Sequence, residues 1–181
     1  MLIMMQTVKR MLMRHSVVAT GVAIVLAGAV GADAQPFART EYEAFPGWAI
    51  NIYRSGETQA FLRCSAEERY GEQSALTIAR SQAGYVVGFT SSRWTFEDGA
   101  RHPATLRVDA GDPVTTSMRG RLLPSGPMGF TDFQPGDSVL TELSAGRRLA
   151  VRAVDVTLEY DLEGVERAMA SVERCVAEHA P

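Results

Sequence analysis

Catalysis in this chain would have to be assembled from few parts. After the first 34 residues it offers two histidines, His102 and His179. His102 stands before Pro103 in what reads as a turn, and His179 lies close to the C-terminal Pro181. A hydrolytic triad needs a nucleophile, a base and an orienting acid within mutual reach. The chain has no G-x-S-x-G elbow, and Pro124-Ser-Gly-Pro127 reads as a turn. Asp98-Gly99-Ala100 lacks the hydroxyl residue of an aspartic-protease loop and reads as a hairpin turn. The neighbouring acids Glu67/Glu68 and Glu97/Asp98 are the residue type that hydrolyses glycosides, but their ordinary reading is solvated turn acids. Asp109, Asp112 and Asp137 lie near glycines without EF-hand spacing. No P-loop or dinucleotide fingerprint occurs. The expectation is a protein with no catalytic residue, no cofactor and no metal.

Two other sets of residues remain. Cys64 and Cys175 are the only cysteines. In an exported chain an even pair forms a disulfide, the alternative being two buried thiols. A zinc site would want about four Cys or His ligands, and no such spacing is present. Arg119, Arg121, Arg147, Arg148 and Arg152 form the second set. On neighbouring strands they would make a cationic patch suited to lipopolysaccharide phosphate or an acidic partner; the other reading is simple charge balance. Trp94 and Phe96 share one side of their segment, either as core or as the aromatic rim of such a patch.

Short strands must position these groups. Gln35 to Pro46 is a lead-in without periodicity. Trp48 to Tyr53 alternates, Arg54 to Glu57 turns, and Gln59 to Ala66, Ala75 to Ala79 and Tyr85 to Thr90 read as strands. Arg93 to Phe96 follows, with the hairpin signal Asp98-Gly99 behind it. Thr105 to Asp109 and Val114 to Leu123 are further strands. Pro124 to Gly129 is the most loop-like stretch. Ser138 to Leu143 predicts a short helix, capped by Asp137 or Ser138 and stopped near Gly146. Leu149 to Ala153 and Val156 to Leu162 alternate again. Val165, Ala168, Met169, Val172, Cys175 and Val176 recur at three and four residues, the stripe of an amphipathic helix. The fold class is therefore mainly β: one antiparallel β-sandwich or partly closed barrel, with a short helix and a C-terminal amphipathic helix packed on it.

Composition sets the compartment. The 181 residues carry 18 Lys+Arg against 21 Asp+Glu, a formal charge of −3, too near neutral for a nucleic-acid binder. Lys9, Arg10 and Arg14 precede the uncharged apolar run Val17 to Gly31, which ends in Ala32-Asp33-Ala34. That order is a secretory signal peptide with cleavage after Ala34. The apolar run is shorter than the ~18 to 25 residues that span a bilayer. Residues 35–181 then form a single β-rich domain in the periplasm, secreted or associated with the outer membrane, and not membrane-spanning after cleavage.

Several anchors carry a resemblance. Trp48 leads a strand; Cys64 precedes Leu76 and Ile78; then come Val86 to Phe89, Trp94 and Phe96, and Val108-Asp109. Leu140 and Leu143 lie in the short helix, and Gly146 stands before Leu149 and Val151. Leu162-x-Gly164-x-x-x-Ala168-Met169 is the sharpest motif, a glycine that ends a strand and opens a helix, with a small alanine where the helix meets the sheet. In these the chain resembles the invasion-associated locus B family of small exported α-proteobacterial proteins. The resemblance implies a non-enzymatic β protein of the cell envelope, linked to host interaction, with a protein or surface-polymer ligand. Two other classes stand beside it: an inhibitor of an exported enzyme such as lysozyme, presenting Pro124 to Gly129 as a protruding loop, or an envelope hydrolase using carboxylates.

Overall fold

The structure is a computed structural model that describes residues 37–181. The signal peptide expected over residues 1–34, and its cleavage after Ala34, lie outside the described residues. The first half of the chain is a meander of five strands, β1 (Phe37–Phe45), β2 (Trp48–Ser55), β3 (Phe61–Arg69), β4 (Ser74–Ser81) and β5 (Gly84–Ser91). A second meander follows, β6 (Arg101–Val108), β7 (Val114–Leu123) and β8 (Gly126–Phe133). Helix α1 (Ser138–Ala145) leads to the hairpin β9 (Arg148–Ala153) and β10 (Val156–Asp161), and α2 (Val165–His179) ends the chain. All pairings are antiparallel, in the order β1-β2-β3-β4-β5-β8-β7-β6-β9-β10.

Strand alternation decides which face is buried. Trp48, Ile50 and Ile52 of β2, Cys64 and Ala66 of β3, and Leu76 and Ile78 of β4 point to one side and are buried. So are Val87 and Phe89 of β5, Leu106 and Val108 of β6, Leu149 and Val151 of β9, and Leu158 and Tyr160 of β10. The sheet curls around this face. β5 and β10 are five strands apart, about 24 Å in a flat sheet, yet the rings of Phe89 and Tyr160 lie 5.6 Å apart. The curl does not close through a ladder, because β1 and β10 stand at the two edges of the sheet. Of the two arrangements expected from sequence, a sandwich or a partly closed barrel, the single curled sheet matches the second.

Side chains bridge the gap instead. Trp48 Nε1 donates to the carbonyl of Glu163 at 2.9 Å. Tyr70 Oη donates to the carbonyl of Asp161, and its ring packs 5.2 Å from that of Tyr160. Gly164 caps α2 at φ +78°, a conformation that favours glycine, and a Cβ there would sit 3.2 Å from the Trp48 ring. The stripe Val165, Ala168, Val172, Cys175 and Val176 then faces inward, and Ala168 is fully buried. Cys175 is bonded to Cys64 of β3, with the Cα atoms 6.1 Å apart and a sequence separation of 111. Helix α1 buries Val139, Leu140 and Leu143 and ends at Gly146, as expected; Asp137 stands at its start, but its carboxylate accepts from the Gln134 N–H rather than from the helix.

Four local expectations are corrected. The Gln35 to Pro46 lead-in contains β1, an edge strand whose largely exposed residues leave no apolar alternation to read. Arg93 to Phe96 is not a strand of a hairpin; it is a loop that drops Trp94 and Phe96 into the core. His102 and Pro103 lie in β6 rather than in a turn. Pro103 is tolerated there because the β9 ladder starts only at Ala104. Most of Pro124 to Gly129 belongs to β8, leaving Pro124 and Ser125 as a tight hairpin turn. Gly129 is buried there because the Met118 side chain fills the place of its missing Cβ.

Candidate functional site

The five arginines singled out from sequence separate into two groups. Arg119 and Arg121 project from the far end of β7, Arg119 opposite Arg101 of β6. Arg119 pairs with Asp132 at 3.5 Å and lies over the Phe130 ring, and Arg121 pairs with Asp98 at 3.6 Å. Six residues along β6, about 20 Å away, Arg107 stands opposite Ala150 of β9. It lines one surface depression of about 470 Å³ with Asp109, Arg147, Arg148 and Glu159. Arg152 lies on the same exposed face of β9, opposite Thr105, and borders a second hollow of about 400 Å³ with Asp155. Trp94 belongs to neither group. It is 1% exposed and packs edge-on against Phe89, so the rim reading is corrected: the residue is core.

The carboxylates of this region are largely committed to backbone. Asp109 is held at φ +49° after β6, and its carboxylate accepts from the N–H groups of Arg147 and Arg148 at 3.1 and 2.9 Å. Asp161, opposite Arg148 across the β9–β10 ladder, accepts from the N–H of Glu163 at 2.8 Å. Among the described residues, Arg107, Arg147, Arg148 and Arg152 have no carboxylate oxygen within 4.0 Å of their guanidinium nitrogens. Their charges are balanced in the neighbourhood without being neutralised by contact. Planar guanidinium forks in that condition suit phosphate or carboxylate oxygens.

The other candidate groups are dispersed. Glu67 faces outward and pairs with Arg69 at 3.0 Å, while Glu68 faces the opposite side of β3 beside Tyr70. Adjacent residues of a strand cannot share one substrate, so that pair is divided by the pleat. Asp98 accepts from the N–H of Leu122 at 3.1 Å. His102 stacks 5.1 Å from Phe96, and His179 meets Tyr42 edge-on in the last turn of α2. Among the described residues, no cluster of three His, Cys, Asp or Glu is placed to hold a metal, and no helix is long and apolar enough to cross a membrane. The β7–β8 tip exposes Leu122 and Leu123, but it is a two-residue turn between paired strands and not an extended inhibitory loop.

Arg107 was missed in the sequence reading. Its alternation with Leu106 and Val108 marks it as outward-facing, but its neighbour Arg148 lies 41 positions later. Only the β6–β9 pairing brings the two together.

No family model matches the chain, and no curated protein matches its sequence. Among solved structures, the crystal structure of invasion associated protein B from Bartonella henselae superposes with a TM-score of 0.52. The match covers 75% of this chain and 97% of that one, at 18% sequence identity. The chain has the fold of invasion associated protein B. Nearly all of that protein is covered, so the likeness lies in the β domain as a whole and not in one hairpin or helix. At this identity the likeness to invasion associated protein B shows the fold and assigns no residue a role.

Proposed function

We propose that the protein is an exported, non-enzymatic binding module of the cell envelope that holds a phosphate-bearing surface polymer on its β6–β9 face. The observation that carries this reading is the set Arg107, Arg147 and Arg148, which share one depression without direct carboxylate partners. The N-terminal basic and apolar pattern supports export to the periplasm, and the Cys64–Cys175 bond fits an oxidising compartment. The fold is shared with a protein named for its association with invasion, which fits the link to host interaction expected from the sequence.

A guanidinium–phosphate hydrogen bond contributes about 1.5–3 kcal/mol, so each arginine lost should weaken binding about tenfold or more. Co-sedimentation of the purified protein with phosphorylated lipopolysaccharide tests this. Arg107→Gln with Arg148→Gln should abolish retention, added salt should weaken it, and Arg119→Gln with Arg121→Gln should leave it intact. Equal retention of all three proteins would defeat the proposal.

A further inference from the structure

The seam that closes the curl contains one more hydroxyl contact than it has hydroxyl protons. Tyr70 Oη lies 2.5 Å from Glu68 Oε2 and also within hydrogen-bonding reach of the Asp161 carbonyl oxygen. Both neighbours are acceptors when Glu68 is ionised, and a tyrosine has a single O–H to donate. A carbonyl oxygen brings no proton of its own. A proton on the Glu68 carboxyl would satisfy both contacts at once.

The surroundings of Glu68 favour that proton. Across the ladder it meets Trp48 of β2 and Leu76 of β4, neither of which carries charge. Gly47, in the β1–β2 turn at φ +84°, lets the carboxyl approach so closely that a Cβ there would lie 2.7 Å from Oε1. From β10 and the turn behind it, the charged groups that face Glu68 are the carboxylates of Asp161 and Glu163. Just past the end of its own strand it meets Tyr70. Burial, followed by those two like charges, pushes the Glu68 carboxyl above the usual carboxylate range, against the lowering effect of the Tyr70 hydrogen bond.

We propose that Glu68, Tyr70 and the Asp161 carbonyl form a proton-dependent clasp between β3 and β10. With Glu68 protonated, its O–H donates to Tyr70 Oη and the tyrosine O–H donates to the Asp161 carbonyl. When Glu68 releases its proton to solvent, the carboxylate takes the tyrosine O–H for itself. The Asp161 carbonyl then loses its donor, and three carboxylates are left facing one another. The strand end 161–163 loosens while the disulfide and the sheet ladders persist. The clasp does not depend on any ligand at the arginine face.

Two measurements on the oxidised protein test it. The side-chain carboxyl of Glu68, followed by ¹³C NMR across a pH titration, should titrate with a midpoint above the ordinary glutamate value of about 4.3. Hydrogen exchange of the Leu162 and Glu163 amides, corrected for intrinsic rate, should lose protection about tenfold as pH rises through that midpoint. In Glu68→Gln the side-chain amide keeps donating to Tyr70, so protection should stay level across the same range. An ordinary or lowered midpoint would overturn the clasp, and so would identical exchange profiles for the two proteins. If Glu68→Gln does not fold, the titration in the unaltered protein decides alone.

Discussion

Val154 and Gly164 place the same backbone demand on two different residues. The β9–β10 turn holds Val154 at φ +47° and Asp155 at φ +59°, the pattern of a two-residue hairpin that prefers Asn-Gly. A β-branched residue there is strained, and Val154 is one of the exposed large apolar residues. Val154→Asn should therefore stabilise the protein by about 1 kcal/mol, read as a rise in thermal midpoint. Gly164 already satisfies its position. Gly164→Ala should cost about 1–2 kcal/mol for the left-handed backbone, and more if Trp48 has to shift its ring; chemical denaturation measures both changes. Gly164 was legible in the sequence because a glycine between a strand pattern and a helix stripe marks that joint. The different fates of Glu67 and Glu68 were not, since the two acids look alike until strand register sends one to solvent and the other to the seam.

Helix α2 is the element whose attachment is easiest to take apart. The Cys64–Cys175 bond closes a loop of 111 residues, worth about 4–5 kcal/mol by the chain-entropy estimate. Its apolar stripe also holds it to the sheet, and on the outside Glu43 of β1 accepts from Arg167 at 2.7 Å, Arg174 at 3.0 Å and Ser171 at 2.8 Å. Cys175→Ser should lower the melting temperature strongly and open the segment after Gly164 to protease before the strands are cut. Equal melting of oxidised and reduced protein would contradict this. The Arg167 and Ser171 hydrogen bonds hold the Glu43 carboxyl below its ordinary range. A depressed carboxyl adds stability above its unfolded pKa and loses it as pH falls through the folded value. Glu43→Gln should therefore cost up to about 1 kcal/mol near neutral pH, and the gap to the unaltered protein should vanish in acid; a gap that widens in acid would refute the sign. The C-terminal helix was readable because its 3.6-residue stripe is strong. β8 was hidden because Gly126, Pro127 and Gly129 are turn residues by type. The long Met118 side chain from β7, with the Phe96 ring beside it, makes Gly129 a core position.

At the scale of the whole molecule, closure comes from side chains rather than from a completed ladder. Trp48, Tyr70 and the disulfide each tie the first five strands to the last quarter of the chain. The antiparallel class, both helices and the disulfide partners followed from periodicity, the glycines at Gly146 and Gly164, and cysteine count. The strand order did not, because the step from β5 to β8 and the pairing of β6 with β9 leave no local mark in sequence. The arginine face suffers from the same gap. Residues close in sequence, Arg119 and Arg121, proved to be paired with acids elsewhere, while Arg107 joined Arg147 and Arg148 only through tertiary pairing. The direct test is to follow the guanidinium ¹H–¹⁵N signals of the protein by NMR while phosphorylated lipopolysaccharide oligosaccharide is added. Saturable shifts should appear at Arg107, Arg147 and Arg148, with Arg119 and Arg121 unmoved. Shifts centred on Arg119 and Arg121, or no saturable shift at any arginine, would contradict a binding face on β6 and β9.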